Sequence, residues 1–151
     1  MGKAVFWDRL VSLLERITGR LVSRRVISFA LVGLSGTVVH AGLFLVFRTW
    51  GWSFLHSQSV AIAAGASSNY WVNNSLTFRS RCLRGRALFL GLIKFLLVCS
   101  PGLMANILVS TVTYTNTSRQ GLGIGALVAG IVVDFIWKYT ASSRFVWKTR
   151  N

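Results

Sequence analysis

Two charged residues lie inside long apolar stretches of the sequence and are the first candidates for chemistry, Lys94 and Asp134. A charged side chain within a bilayer costs about 2.5–3.5 kcal/mol on insertion scales, so each requires a partner or a function. Counting inward at about 1.5 Å per residue places both at a similar depth, where they could form an ion pair. In the alternative arrangement, Asp134 bonds to Lys138 one helical turn later and Lys94 extends to the headgroups.

Amide and cationic side chains near these two residues could together bind a phosphate. Lys94, Arg79 and Lys138 would surround the phosphate near the cytoplasmic leaflet, asparagines would donate further hydrogen bonds, and Asp134 would orient a lysine. Proton coupling through Asp134 is another function that the same carboxylate could serve. The predicted substrate-binding residues are Asn69, Asn73, Asn74, Arg79, Lys94, Asp134 and Lys138.

The sequence offers little for catalysis. It contains no nucleotide-binding loop, no nucleophile with an adjacent base and no cluster of metal ligands. We therefore expect no catalytic residue, no bound cofactor and no metal, and we expect that the protein is not an enzyme. His40, a lone histidine in the first apolar stretch, is interpreted as an interhelical hydrogen-bonding residue rather than a ligand or a proton carrier.

The composition predicts the elements that position these residues. Hydrophobic residues make up 53% of the 151 residues and charged residues only 13%, which is too little polar surface for a soluble domain of this size. About 20 apolar residues cross the roughly 30 Å of hydrocarbon in a bilayer. Four stretches satisfy this length and are predicted to be transmembrane helices: 26–47, 56–77, 88–113 and 121–141.

The distribution of Lys and Arg predicts the orientation of these spans. Thirteen of the seventeen Lys and Arg residues lie in residues 1–25, in the connection 78–87 and in the tail, whereas the other two connections hold only Arg48 and Arg119. The positive-inside rule places both termini in the cytoplasm. The basic residues behind the net charge of +14 are therefore expected to interact with the headgroups of membrane lipids, and nucleic acid is excluded as a partner.

Residues 1–25 are predicted to be separate from the transmembrane domain, 26–151. Apolar residues recur at helical spacing over 4–22, with charged residues on the remaining face. Such an amphipathic helix is expected to lie in the cytoplasmic interface as an anchor. The same helix could instead dock a partner protein.

The four spans contain an internal repeat. At an offset of 66, Phe29-x-x-Val32-x-x-x-Gly36-x-x-x-His40 aligns with Phe95-x-x-Val98-x-x-x-Gly102-x-x-x-Asn106, and at an offset of 65, Asn69 aligns with Asp134. Each copy holds two spans, which predicts two parallel two-helix repeats. Small residues, such as Gly33 with Gly36 in the first span and the stretch 63–68 that includes Gly65 in the second, would let helices approach closely. The aromatic residues near the span ends are interpreted as interfacial belts: Trp50, Trp52, Phe54, Trp71, Phe78, Trp137 and Trp147.

The repeated motifs also carry a resemblance to a known family. They are Phe29-x-x-Val32-Gly33, the stretch Asn-Tyr-Trp-Val-Asn-Asn-Ser-Leu-Thr-Phe at 69–78, and the partial echoes Phe95-x-x-Val98 and Phe145-Val146-Trp147. Through them, residues 24–149 resemble the GtrA-like family, which is related to the membrane domain of dolichol-phosphate-mannose synthases. The chain departs from the family pattern at Asp134 and Lys138, where the family commonly has asparagine.

This resemblance implies an all-α integral membrane protein, with four transmembrane helices as two parallel repeats after the amphipathic helix. It implies that the protein flips a polyprenyl-phosphate-linked monosaccharide across the cytoplasmic (inner) membrane, for cell-surface polysaccharide or glycoconjugate synthesis. Because four short helices enclose little volume, a homo-oligomer is expected. The alternative is a non-catalytic anchor or accessory subunit of a polyprenyl-phosphate glycosyltransferase.

Overall fold

The chain is all-helical in the part that the structure, a computed structural model, describes: residues 2–115 and 124–148 contain helices and turns and no strand. This confirms the predicted all-α class. Residues 121–123 of the predicted fourth span, together with Arg119 and Arg150 of the charge count, lie outside the described residues. The main helices are α1 (Gly2–Ile17), α2 (Arg24–Thr49), α3 (Phe54–Val72), α4 (Arg86–Thr115) and α5 (Ile124–Ala141).

Each of the four predicted spans falls on one of the helices α2 to α5. Among the described residues, α2 is the one helix that is long and apolar enough to cross a membrane, with a mean hydropathy of 2.0 over 18 residues. α3 is more polar, because serines, Gln58 and Asn69 interrupt its apolar residues. The crossing of all four helices therefore stays a prediction.

Glycine lets α2 and α3 pack closely against each other, as expected. A Cβ built on Gly65 would lie 2.8 Å from the backbone oxygen of Gly36 and 3.1 Å from the Cβ of His40. A Cβ on Gly36 would overlap the side-chain amide of Asn69. Close backbone approach of this kind strengthens the van der Waals contacts that hold helices together in lipid. Gly33 does not contribute, since nothing lies within 4 Å of the corresponding position.

α3 and α5 end in the same way. Each continues into a π-helical turn of five residues, Asn73–Thr77 after α3 and Ser142–Val146 after α5. The backbone N–H of Phe78 then donates to the backbone oxygen of Asn73 at 2.8 Å, and the backbone N–H of Trp147 donates to the backbone oxygen of Ser142 at 3.1 Å. The two turns thus deliver one aromatic residue each to the same place.

These two aromatic residues form the centre of the core. The rings of Phe78 and Trp147 stack with centroids 4.2 Å apart and planes inclined by 9°. Tyr70 stacks on the indole at 5.5 Å, and Phe95 meets it edge-on at 5.7 Å. The exposed fraction is 1% for Phe78 and 0% for Trp147. Their interpretation as interfacial belt residues was wrong, because the π-helical turns direct both side chains inward.

α1 is bound to the helical bundle by polar contacts as well as by apolar packing. Trp7 Nε1 donates to Ser28 Oγ at 3.0 Å, and this hydroxyl lies 2.8 Å from Thr77 Oγ1. Val11 is buried against the bundle. The helix ends at Ile17, earlier than predicted, because a left-handed turn follows at Gly19. α1 is therefore a docked element of this fold.

Candidate functional site

A cavity of about 580 Å³ lies between α2, α3, α4 and α5. Most of its wall is apolar, including Phe29, Phe95 and Phe135. Small-molecule sites typically have about 300–1,000 Å³ and an apolar wall with few polar groups, so this cavity matches them in size and character. The polar residues that line it are Thr37, His40, Asn69, Asn73, Asp134 and Lys138.

Two asparagines, one in α3 and one at the start of the π-helical turn that follows it, bring unsatisfied polar atoms to this cavity. Asn69 and Asn73 are one helical turn apart, and the Oδ1 atom of each is buried without a hydrogen-bond partner among the described residues. Leaving a buried polar group unpaired costs about 1–3 kcal/mol. The glycine at position 36 provides the space that Asn69 occupies. Two acceptors held in this state are available to a ligand with hydroxyl groups.

An ion pair on α5, between Asp134 and Lys138, lines the same cavity. Lys138 Nζ donates to Asp134 Oδ2 at 2.6 Å, and the side chains are 26% and 38% exposed. A Cβ on Gly102 would overlap the Asp134 carboxylate, so glycine again makes room for a polar side chain. Asp134 is thus paired one turn along its own helix. The ion pair with Lys94 does not form.

His40 on α2 is another polar residue of the cavity lining. Its Nε2 atom lies 3.3 Å from Oε1 of Gln58 on α3, which confirms the predicted interhelical hydrogen bond. The same side chain lines the cavity, so it is both a structural contact between α2 and α3 and a potential ligand contact.

Three of the seven predicted site residues lie away from the cavity. Asn74 is 4% exposed and its amide is fully engaged: it bonds to the backbone N–H and oxygen of Leu83 at 2.9 and 3.1 Å, to Cys82 Sγ at 3.3 Å and to Trp147 Nε1 at 3.0 Å. Asn74 therefore joins the α3–α4 connection to the aromatic core. The remaining four residues, Asn69, Asn73, Asp134 and Lys138, are brought together.

Arg79 and Lys94 have different surroundings. Arg79 Nη1 donates to Asp8 Oδ2 at 2.9 Å and so joins α1 to the α3–α4 connection. This hydrogen bond lowers the pKa of the Asp8 carboxyl below its ordinary value of 3.8, and the nearby charges of Arg79 and Arg24 act in the same direction. Lys94 is exposed on α4 and has no ion-pair partner within the described part of the chain.

A second pocket was not predicted from the sequence. It has a volume of about 510 Å³ and lies where the start of α2, the short helical turn Arg79–Arg81 and the end of α5 meet. We call it the basic pocket, and its lining residues are Arg25, Phe78, Arg81, Tyr139, Ser143, Arg144 and Lys148. The available signal was the basic residues that follow both copies of the aromatic motif.

No group of three His, Cys, Asp or Glu side chains in residues 2–115 and 124–148 is arranged to hold a metal ion. The polar groups that line the cavity, namely the Asn69 and Asn73 amides, Thr37, His40 and the Asp134–Lys138 ion pair, can each form hydrogen bonds to a ligand.

Comparison with known proteins identifies the family. A family model described as the transmembrane domain of GtrA/DPMS matches residues 28–147, which include most of α2, all of α3 to α5 and both π-helical turns. The chain belongs to this family. The resemblance seen in the sequence is thereby confirmed, and the chain is a membrane protein. α1 lies outside the matched range.

This GtrA/DPMS protein is also similar to a characterised enzyme of an archaeon. It is 28% identical over 152 residues to a dolichol-phosphate mannosyltransferase of Pyrococcus furiosus. The match covers 98% of the present chain and 40% of the mannosyltransferase. The chain thus spans about two fifths of the length of that relative.

Proposed function

We propose that this GtrA/DPMS protein moves a polyprenyl-phosphate-linked monosaccharide from the cytoplasmic to the outer leaflet of the cell membrane, for the synthesis of surface polysaccharides or glycoconjugates. Its family is defined by a membrane domain, and a relative acts with dolichol phosphate, a polyprenyl phosphate. Sugar hydroxyls and a lipid phosphate need polar contacts wherever they leave water.

The cavity between α2, α3, α4 and α5 is the observation that carries this proposal. Buried acceptors of Asn69 and Asn73 face the same space as the Asp134–Lys138 ion pair. A sugar hydroxyl donating to each asparagine would satisfy atoms that are unsatisfied in the protein alone. The apolar wall contributes no competing hydrogen bonds, so the polar groups select for a ligand of matching polarity.

The proposal includes the predicted topology, with four transmembrane helices as two parallel repeats and both termini in the cytoplasm. Two pairs of contacts support the repeat: Gly36 faces Asn69, and Gly102 faces Asp134, with spacings of 66 and 65 residues between equivalent positions. Both repeats would end in a π-helical turn, where the spacing becomes 69 residues. The second repeat would thus contain about one additional helical turn.

The role we infer is non-catalytic, with the glycosyl transfer performed by another polypeptide. The mannosyltransferase relative is a longer protein, of which the present chain matches 40%. We infer a glycosyltransferase as a partner.

Transport is tested with purified protein in proteoliposomes, as the rate at which a polyprenyl-phosphate-linked sugar becomes accessible on the opposite side. We expect movement well above that in protein-free vesicles. The double variant Asn69→Ala/Asn73→Ala should lose most of this acceleration. Ser75→Ala is the matched control, because Ser75 is exposed and its hydroxyl donates to the backbone oxygen of Trp71. Folded wild-type protein that leaves the rate unchanged would refute the proposal.

The second candidate function is an accessory subunit of a polyprenyl-phosphate glycosyltransferase. It is favoured by the name of the P. furiosus relative and by α1, which lies outside the family match and has exposed apolar residues such as Phe6 and Ile17. Deletion of the gene should then lower the activity or abundance of the transferase. Unchanged transferase activity combined with lost transport would favour the transporter.

A homo-oligomer remains part of the proposal. One chain encloses about 580 Å³, which suits a monosaccharide better than a sugar together with a long polyprenyl tail. The tail would therefore lie outside the cavity, against lipid or a second copy. Crosslinking in native membranes and mass measurement in nanodiscs would each reveal the assembly.

A further inference from the structure

The basic pocket concentrates positive charge from distant parts of the chain. Arg25 comes from the start of α2, Arg81 from the short turn after α3, and Arg144 and Lys148 from the segment after α5. Four cations around one concave space repel one another, and the repulsion grows as the surroundings become less polar. Three of the four cations are exposed to water, which screens the repulsion in part, and a bound anion would offset the remainder.

The protein has no carboxylate side chain left to supply that charge. Its sequence contains three acidic residues, and each is paired with a cation outside the pocket. Asp8 pairs with Arg79 at 2.9 Å, and Asp134 pairs with Lys138 at 2.6 Å. The remaining acid, Glu15, lies 3.6 Å from Arg24. A bound anion would supply the counter-charge that these three carboxylates do not.

The donors in the pocket match a phosphate ester. A guanidinium presents five N–H donors in a planar fork that fits phosphate oxygens, and the pocket holds three such groups. One donor of Arg81 is used on the backbone oxygen of Trp147 at 3.2 Å, which fixes that side chain in position. Its remaining donors and those of Arg144 have no partner among the described residues. The rings of Phe78 and Tyr139 provide an apolar floor.

The position of the pocket connects it to the central cavity. Phe29 lines the cavity, and its ring lies 6.3 Å from that of Phe78 and 5.5 Å from that of Tyr139, which both line the basic pocket. On α5, Lys138 lines the cavity and the next residue, Tyr139, lines the basic pocket. One aromatic layer therefore separates the two spaces.

We propose that the basic pocket binds the phosphate of the lipid carrier, a polyprenyl phosphate ester, with the attached sugar directed towards the cavity. This inference rests on the proposed function for the identity of the ester. In a lipid-linked sugar the phosphate is bonded directly to the sugar, so a sugar whose phosphate lies in the basic pocket would be next to the aromatic layer that borders the cavity. The site differs from the predicted phosphate-binding set, since Arg79 is held by Asp8 and Lys94 lines neither space.

Binding is tested with the full chain in phosphatidylcholine nanodiscs and a short polyprenyl phosphate such as farnesyl phosphate as the probe. The double variant Arg144→Gln/Lys148→Gln removes two charges from the pocket. The matched control Arg84→Gln/Arg86→Gln removes two charges from exposed positions where α4 begins, outside the pocket. We expect at least about tenfold weaker binding for the first pair, since each charge-assisted bond contributes at least about a factor of ten. The control should bind within about twofold of wild type.

Two further arms identify the ester. Phosphatidylglycerol and inorganic phosphate are added as competitors at the concentration of the probe, and weak competition by both is expected if the pocket selects a polyprenyl phosphate. Full displacement by phosphatidylglycerol would overturn the assignment to the carrier. Equal weakening in both double variants, with unchanged helical content by circular dichroism, would overturn the pocket itself.

The two proposals fail in different ways. Normal binding to the pocket without any transport in proteoliposomes would remove the proposed function and keep the site. Normal transport by Arg144→Gln/Lys148→Gln, together with undiminished binding, would remove the site and keep the function.

Discussion

Asn73 and Asn74 are adjacent and both buried, yet we expect different effects when each is replaced by alanine. Asn74→Ala should lower the stability of the protein, whereas Asn73→Ala should lower transport. The Asn74 amide accepts hydrogen bonds from the Leu83 backbone N–H and from the Trp147 indole, and it donates to the Leu83 oxygen. The Asn73 side-chain oxygen has no partner in the described structure. One residue therefore holds the fold together, and the other is available for ligand.

The structure sets the size of the difference. Asn74→Ala removes three hydrogen bonds between nitrogen and oxygen, each contributing about 0.5–1.5 kcal/mol, and leaves the indole N–H of Trp147 without an acceptor. We expect a loss of roughly 2–4 kcal/mol in the free energy of unfolding. Asn73→Ala removes a buried atom that makes no hydrogen bond, so the free energy should change by less than about 1 kcal/mol.

The assay is equilibrium unfolding in mixed micelles of dodecyl maltoside and increasing dodecyl sulfate, followed by far-ultraviolet circular dichroism. Transport by each variant is measured in parallel. Asn73→Ala should fold normally and transport poorly. Equal destabilisation by the two substitutions would refute the distinction between a structural and a ligand-facing asparagine, as would normal stability of Asn74→Ala.

Three further predictions follow from the core, the cavity and α1. Trp147→Ala should destabilise the protein by about 3–5 kcal/mol in the same assay, whereas Trp50→Ala, at a ring that is 69% exposed, should cost under about 1 kcal/mol; equal losses would contradict the assignment of Trp147 to the core. Asp134→Asn leaves Lys138 without its partner and should cost roughly 1–2 kcal/mol, and adding Lys138→Met should restore most of the expression level; a double variant as poorly expressed as the single one would argue against a buried ion pair. Because its arginine partner lowers the pKa of Asp8, docking of α1 should stay constant from pH 7 to about 4 and weaken only as the pH falls through that lowered pKa. A fluorophore on the exposed face of α1 reports the release, and a midpoint above 3.8 would exclude this ion pair as the cause.

The positions of the long helices could be predicted from the sequence, because the length of an apolar stretch can be read directly along the chain. Of the two predicted arrangements of Asp134, the pair with Lys138 one turn later is the one that forms. Depth along a helix could not decide between them, because it says nothing about rotation around the helix axis. Residues in an α-helix are about 100° apart, and Gly91, Phe95 and Cys99 mark the buried side of α4 in the structure, with Lys94 off that stripe.

The burial of Phe78 and Trp147 could not be inferred in the same way. Aromatic residues beside arginine at the end of an apolar stretch are typical of interfacial belts, and nothing in the local pattern announces a π-helical turn. The basic pocket depended on tertiary structure for a similar reason, since its cations come from three separate segments. Four of the seven predicted site residues, Asn69, Asn73, Asp134 and Lys138, line the central cavity. The sequence drew attention to them because they are polar among apolar neighbours.

The place of Trp147 in the core also has a consequence for the timing of synthesis. The indole donates to Asn74, which lies 73 residues earlier in the chain, and it covers a ring face of Phe78. At about 5–20 residues per second, a ribosome takes roughly 4–15 s to make the intervening segment. Until Trp147 is made, Phe78 lacks the indole that stacks on it and the Asn74 side-chain oxygen lacks one of its two donors. This part of the core can therefore form only after the segment that follows α5 has been synthesised.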